Sequence, residues 1–125
     1  MEKQNIAIIG LGRIGSAFMG EMLCKKGSGI NLAYVAEQMD TPGKAQAIAA
    51  GIKIANLDDI VALGDRIDVI FELTGLPSVR KELREKLTSA SNRHTVIASE
   101  TIVRVIWALI SEDALPVIEG RKTGY

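Results

Sequence analysis

At 125 residues the chain has the length of one domain, and 47% hydrophobic with 24% charged residues is the balance of a globular core with a solvated surface. Fifteen basic and fifteen acidic residues cancel, leaving no global field to attract nucleic acid, and a 4% aromatic content argues against a base-stacking platform. The single cysteine, Cys24, excludes an internal disulfide and a multi-cysteine metal site, and no apolar run reaches the ~18 residues of a membrane span, so a cytoplasmic protein is expected, with no nucleic acid, membrane or metal among its partners.

The first apolar run, Ile6-Ala7-Ile8-Ile9, is continuous rather than alternating, the pattern of a strand covered on both faces. It runs directly into Gly10-Leu11-Gly12-Arg13-Ile14-Gly15, and a helical pattern follows from Ile14 to Lys25. A G-x-G-x-x-G motif between a buried strand and a helix start is where a dinucleotide site requires its glycines. Gly10 permits the tight turn, Gly12 has no Cβ to hold a pyrophosphate away, and Gly15 lets the helix pack close to the strand. The helix opens with unpaired N–H groups at Arg13 and Ile14 and a partial positive charge, both favourable to phosphate. The alternative is an ordinary glycine-rich turn with no ligand. Ile14, Ala17, Phe18 and Met22 supply the buried side of the helix, with Met19 and Leu23 beside them; Lys25, Lys26 and Gly27-Ser28-Gly29 end it. Cys24 lies near its end and is expected to be a small packed or half-exposed residue.

The second strand is Ile30 to Ala36, and Glu37 follows it, 22 residues after Gly15. An acidic residue at about that distance takes the adenosine ribose hydroxyls in dinucleotide-binding folds, and its charge repels the extra phosphate of NADP. NAD is therefore the expected cofactor, with Lys44 the nearest later cation. Thr41-Pro42 reads as N-cap and first position of a helix over Gly43 to Ala50, Ile52 to Ile54 as a short strand, and Leu57 to Leu63 as a helix capped by Asn56. Ile67 to Leu73 is the next strand, running into Thr74-Gly75-Leu76-Pro77-Ser78. Ser78 is the expected N-cap of a helix from Val79 to Ser89, with Val79, Leu83 and Leu87 as its apolar stripe. His94 to Ala98 forms the last strand; the lone histidine stands at the end away from the crevice and is expected to be structural. Alternating strands and helices predict a doubly wound parallel α/β sheet, five strands in the order 3-2-1-4-5, over residues 1–112, with a tail at 113–125.

Ile67-Asp68-Val69-Ile70-Phe71-Glu72-Leu73-Thr74-Gly75, then a proline, a charged helix and His94-Thr95-Val96-Ile97-Ala98-Ser99-Glu100, resembles the NAD-binding (Rossmann) domain of homoserine dehydrogenase. The order of segments is also similar to the aspartate dehydrogenase and glucose-fructose oxidoreductase families. The resemblance covers Ile6 to about Ile110. It implies that Thr74, Gly75 and Pro77 line the nicotinamide half of a site, and that Ser99 and Glu100 flank the meeting place of substrate and cofactor. One departure weakens the catalytic implication. Where those dehydrogenases carry a lysine for substrate binding or proton transfer, this chain reads Ala98-Ser99-Glu100-Thr101, and no lysine follows until Lys122. The families' substrate domain has no counterpart in these 125 residues. No catalytic residue is assigned. Two readings stay open: the NAD-binding domain of an oxidoreductase-like protein, and a module that senses NAD(H) or another nucleotide without catalysis.

The helix Glu100 to Ile110 has more apolar residues than one sheet contact can hide. Ile102, Val105, Ile106 and Leu109 are expected to face the sheet, leaving Val103, Trp107 and Ile110 on an adjoining face. That surplus predicts a homodimer, a separate substrate or effector domain, or a folded-back tail as its cover, with the dimer preferred because symmetric pairing is the commonest association.

Overall fold

The computed structural model describes residues 3–25, 29–111 and 115. Strands β1 (Gln4–Ile9), β2 (Ile30–Ala36), β3 (Lys53–Ile54), β4 (Val69–Glu72) and β5 (Val96–Ala98) form one all-parallel sheet in the order β3-β2-β1-β4-β5. The helices α1 (Arg13–Cys24), α2 (Pro42–Ala49), α3 (Leu57–Ala62), α4 (Pro77–Ser89) and α5 (Glu100–Ile110) follow β1 to β5 in turn. This is the doubly wound α/β architecture the alternation predicts. The strand order reverses between β1 and β4, so the crevice of the fold opens there, beyond the strands' C-terminal ends.

The two faces of the sheet explain the continuous apolar runs. Ile6 and Ile8 of β1 join Phe71, Ile14, Phe18, Met19 and Met22 in one core, beside α1, α2 and α5. Ala7 and Ile9 join Ile70, Ile60, Leu83 and Leu87 in the other, beneath α3 and α4. Every β1 position from 6 to 9 is therefore buried. The rings of Phe18 and Phe71 meet edge to face at 4.8 Å, tying α1 to the middle of the sheet. Thr41 and Asn56 cap α2 and α3 as expected, accepting from Lys44 N–H at 3.1 Å and Asp59 N–H at 2.8 Å.

Three expectations need correction. The N-cap of α4 is Leu76, not Ser78, because Pro77 takes the first helical position, where its missing N–H removes a donor that would lack a partner. A 3-10 turn, Gly64–Arg66, continues the helical stretch beyond the expected end at Leu63. The rotation of α5 differs from expectation: of the residues expected to face the sheet Ile106 does so, but Ile102, Val105 and Leu109 do not. Val103 is fully buried and Ile106 and Trp107 pack against the core, whereas Ile102, Val105 and Leu109 point outward. Glu100, Arg104, Ala108 and Thr101 share one side of the helix, and the apolar arc opposite them is wider than one sheet contact, so more than one rotation buries part of it. In the observed rotation Glu100 is buried one turn before Val103. Of the predicted tail only Leu115 is described, and it lies buried in the same core as Val103; Lys26-Gly27-Ser28, expected to end α1, lies outside the described residues.

Candidate functional site

The residues proposed from the sequence to bind a cofactor stand along one edge of the sheet, the C-terminal one. Within the glycine motif, the three glycines have different reasons to be glycine. Gly10 has φ +96°, and a Cβ there would lie 2.8 Å from Leu73 C and Thr74 N. Gly15 would drive a Cβ to 1.8 Å from the Gly10 carbonyl oxygen. Both are demanded by the protein's own packing. Gly12 is not: its φ is −77°, and a Cβ would meet nothing within 4 Å. The space over Gly12 is open, and α1 begins there with neither a side-chain cap nor an acidic residue in its first turn. The first N–H groups of such a helix have no intrahelical acceptor. Ile14 is fully buried, so it offers the crevice only its backbone, while Arg13 is exposed.

The second wall is the turn after β4. Glu72 ends the strand with its side chain 2% exposed or less, inside an otherwise apolar environment. Its Oε1 accepts from the Thr74 N–H at 3.2 Å and from the Thr74 hydroxyl, and its Oε2 lies 3.6 Å from Arg80 Nε on α4. The Thr74 hydroxyl in turn accepts from Leu76 N–H at 3.0 Å, and Gly75 has φ +74°. Thr74, Gly75 and Pro77 are thus held in a turn built over a buried ion pair. The sequence reading missed Glu72 and Arg80. Their signal was present: Arg80 stands three residues before Leu83 and seven before Leu87, on the buried stripe itself.

Glu37, at the end of β2, is half-buried. Its Oε1 accepts from Leu11 N–H at 2.7 Å and its Oε2 from Met39 N–H at 3.0 Å. This brings a carboxylate against the glycine turn, and each oxygen retains further acceptor capacity. Lys44 Nζ stands 3.7 Å from Asp40 Oδ1. Two further residues build the loop. Ser16 Oγ donates to Leu11 O at 2.9 Å, and Gly43 brings α2 so close that a Cβ would strike Ser16 Oγ at 1.8 Å. One strand beyond β4, Ser99 and Glu100 are both buried, and Glu100 Oε2 lies 3.3 Å from Arg104 Nη2.

At the opposite edge, His94 Nε2 meets Asp68 Oδ1 at 2.6 Å, and Asn5 N–H donates to Asp68 Oδ2 at 2.7 Å. The Asn5 N–H first, and His94 second, hold the Asp68 carboxyl below its ordinary value. This cluster ties the starts of β1, β4 and β5 together and lies away from the crevice. Two surface hollows are also remote from it: one of about 430 Å³ between Asp58 on α3 and Lys86 on α4, and one of about 390 Å³ beside Met22, Leu32 and Ile52.

No protein-family model and no curated protein matches the chain. Solved structures share its fold. Homoserine dehydrogenase from S. aureus is 17% identical, with 87% of this chain and 30% of that one covered, at a TM-score of 0.59. Scyllo-inositol dehydrogenase from Lactobacillus casei is 21% identical over 77% of this chain and 28% of its own, at 0.58. GenD2 from gentamicin A biosynthesis, solved in complex with NAD, is 16% identical over 78% of this chain and 27% of its own, at 0.59. The chain has the fold of a Rossmann-type domain, as the resemblance to homoserine dehydrogenase implied. It spans 30% or less of the length of these proteins.

Proposed function

We propose that this domain binds NAD(H) in the crevice between β1 and β4, as the nucleotide-binding part of an oxidoreductase-like protein. The observation that carries the reading is Gly12. Neither backbone conformation nor packing requires glycine there, and the space a Cβ would fill is open beside an uncapped helix start. Gly10, Gly12 and Gly15 with the N–H groups of Arg13 and Ile14 would hold the pyrophosphate. Glu37 would take the adenosine ribose, and Thr74, Gly75, Pro77 and Ser99 would line the nicotinamide half. The cofactor, when bound, supplies a hydride acceptor or donor. A carboxylate at Glu37, with Lys44 turned to Asp40, supports NAD over NADP, since a 2′-phosphate would meet a like charge.

Calorimetry with NADH and NADPH tests this. The native chain is expected to bind NADH more tightly than NADPH, and Gly12→Val to bind neither while unfolding as cooperatively as the native chain. Undiminished NADH affinity in Gly12→Val overturns the site, and equal or tighter NADPH binding overturns the cofactor preference.

A second reading, a sensing module without catalysis, is favoured by the β5 side of the crevice. There Glu100 is buried and paired with Arg104, and the sequence has no lysine between Lys86 and Lys122. Bound NADH that is stable against a panel of small aldehydes and ketones supports the sensor. Substrate-dependent oxidation of the nicotinamide decides for the enzyme.

A further inference from the structure

We propose that Glu72 is a positioning residue for the nicotinamide half of the dinucleotide: its buried carboxylate holds the turn at 74–76 in the shape to which that half binds. The inference rests on the NAD(H) reading above. Strand order sets the direction. With the adenosine at Glu37 beyond β2 and the pyrophosphate over β1, the rest of the ligand extends over the neighbour of β1 on the other side, β4. The turn after β4 lies against the glycine turn, so close that a Cβ on Gly10 would meet Thr74 N at 2.8 Å.

The ion pair offers the fold little that apolar residues could not. Glu72 is the last residue of β4, paired with Ile9, and by the alternation of the strand it points with Ile70 to the side that α4 covers. Apolar side chains at 72 and 80 would pack there as well, since replacing a buried ion pair by apolar residues of similar volume is often neutral or stabilising. What they could not do is accept hydrogen bonds. A single oxygen, Glu72 Oε1, accepts from both the N–H and the hydroxyl of Thr74, and that hydroxyl accepts from the N–H of Leu76, the N-cap of α4. Between them Gly75 is held at φ +74°, the left-handed region that favours glycine. The carboxylate thus reaches through Thr74 to the start of α4 and fixes the wall next to the glycine turn. Arg80, 3.6 Å from Oε2, balances its charge from α4.

The test uses the whole 125-residue chain and two probes, NADH and ADP, which carries the adenosine and the pyrophosphate but no nicotinamide nucleoside. Glu72→Leu with Arg80→Met removes the pair and the acceptor together. It is expected to weaken NADH about tenfold, the scale of one lost hydrogen-bonded arrangement, and to leave ADP within about twofold of the native chain. Glu72→Gln with Arg80→Met also removes the charges but keeps an oxygen for Thr74, and is expected to bring NADH back to within about threefold of native. Thr74→Val, which leaves the ion pair untouched and deletes one of the two hydrogen bonds to Oε1, is expected to weaken NADH and not ADP. A native chain that binds neither probe overturns the NAD(H) reading, and this inference with it. A native chain that binds both, with NADH undiminished in the Leu–Met and Thr74→Val variants, overturns the inference alone. So does an equal loss of NADH and ADP, which would make the pair a support of the whole fold, and so does a Gln–Met variant as weak for NADH as the Leu–Met one.

Discussion

The turns after β1 and β4 touch each other at the crevice and are built on opposite principles. The β1 turn is made of missing side chains: Gly10 and Gly15 let backbone approach backbone, and Gly12 leaves a space that no part of the protein fills. The β4 turn is made of a buried side chain: the Glu72 carboxylate organises Thr74 from beneath and is itself matched by Arg80. One wall is steric and the other electrostatic. They differ accordingly in what breaks them. A steric turn fails by addition of a single methyl, at some of its glycines and not others. An electrostatic turn fails by subtraction, because removal of either ion leaves the other buried and unmatched.

The helix starts along this edge repeat the contrast. The helices after β2 and β3 are closed by their own caps, Thr41 and Asn56. Those after β1, β4 and β5 have no side-chain cap hydrogen bond. The uncapped starts flank the reversal of strand order, which is where an open α/β sheet presents its ligand crevice.

The largest expected effect is on the electrostatic wall. Arg80→Ala should cost about 3–5 kcal/mol, the scale for breaking a buried pair on one side. Replacing both partners, Glu72→Gln with Arg80→Met, should recover much of that, and urea unfolding of the single and double variants measures both. A loss below about 1 kcal/mol in Arg80→Ala would place the pair in the range of surface ion pairs and break the comparison. The glycines come next. Gly15→Ala should cost about 1–3 kcal/mol as an overpacked contact. Gly12→Ala should stay within about 1 kcal/mol, because the residue fits its backbone conformation, yet weaken NADH binding about tenfold or more, some 1.4 kcal/mol. Equal losses of stability at the two positions would show that the open space over Gly12 is needed by the fold itself. The smallest effect contrasts the two ends of β4. Asp68, just before the strand, has its carboxyl lowered from 3.8 by Asn5 N–H and then His94. A folded value below the unfolded one gives stability that is complete above the unfolded value and lost as pH falls through the folded one. The native chain should therefore lose more stability on acidification than Asp68→Asn, and equal slopes in acid titrations of unfolding would remove Asp68 from that role.

Much of this molecule is legible before any tertiary structure. The glycine spacing between a buried strand and a helix, the β2 span with Glu37 at its end and the Thr41 and Asn56 caps follow from local rules, and the strand order from the fold class that the alternation implies. The local causes lie within a few residues: φ preferences, capping hydrogen bonds, apolar runs too short for anything but a strand. The Leu76 cap is a near miss of the same kind, in which Pro77 outranked Ser78 by its fixed φ and absent donor.

Three things had to wait for the fold. Arg80 stands at the spacing of Leu83 and Leu87, which places it on the buried stripe, but only the packing of α4 over β4 brings it to Glu72. Glu37 was recognisable as a site acid, but its hydrogen bond to Leu11 N–H spans 26 residues of chain and exists only because β1 and β2 are neighbours. The rotation of α5 was not fixed by its pattern alone, because its apolar arc is wider than one sheet contact. Burial of Ile102, Val105, Ile106 and Leu109 would hide an apolar face just as burial of Val103, Ile106 and Trp107 does. The fold takes the second, with Ser99 and Glu100 buried ahead of it, because packing across the sheet and not the helix's own pattern decides which apolar side chains close the core.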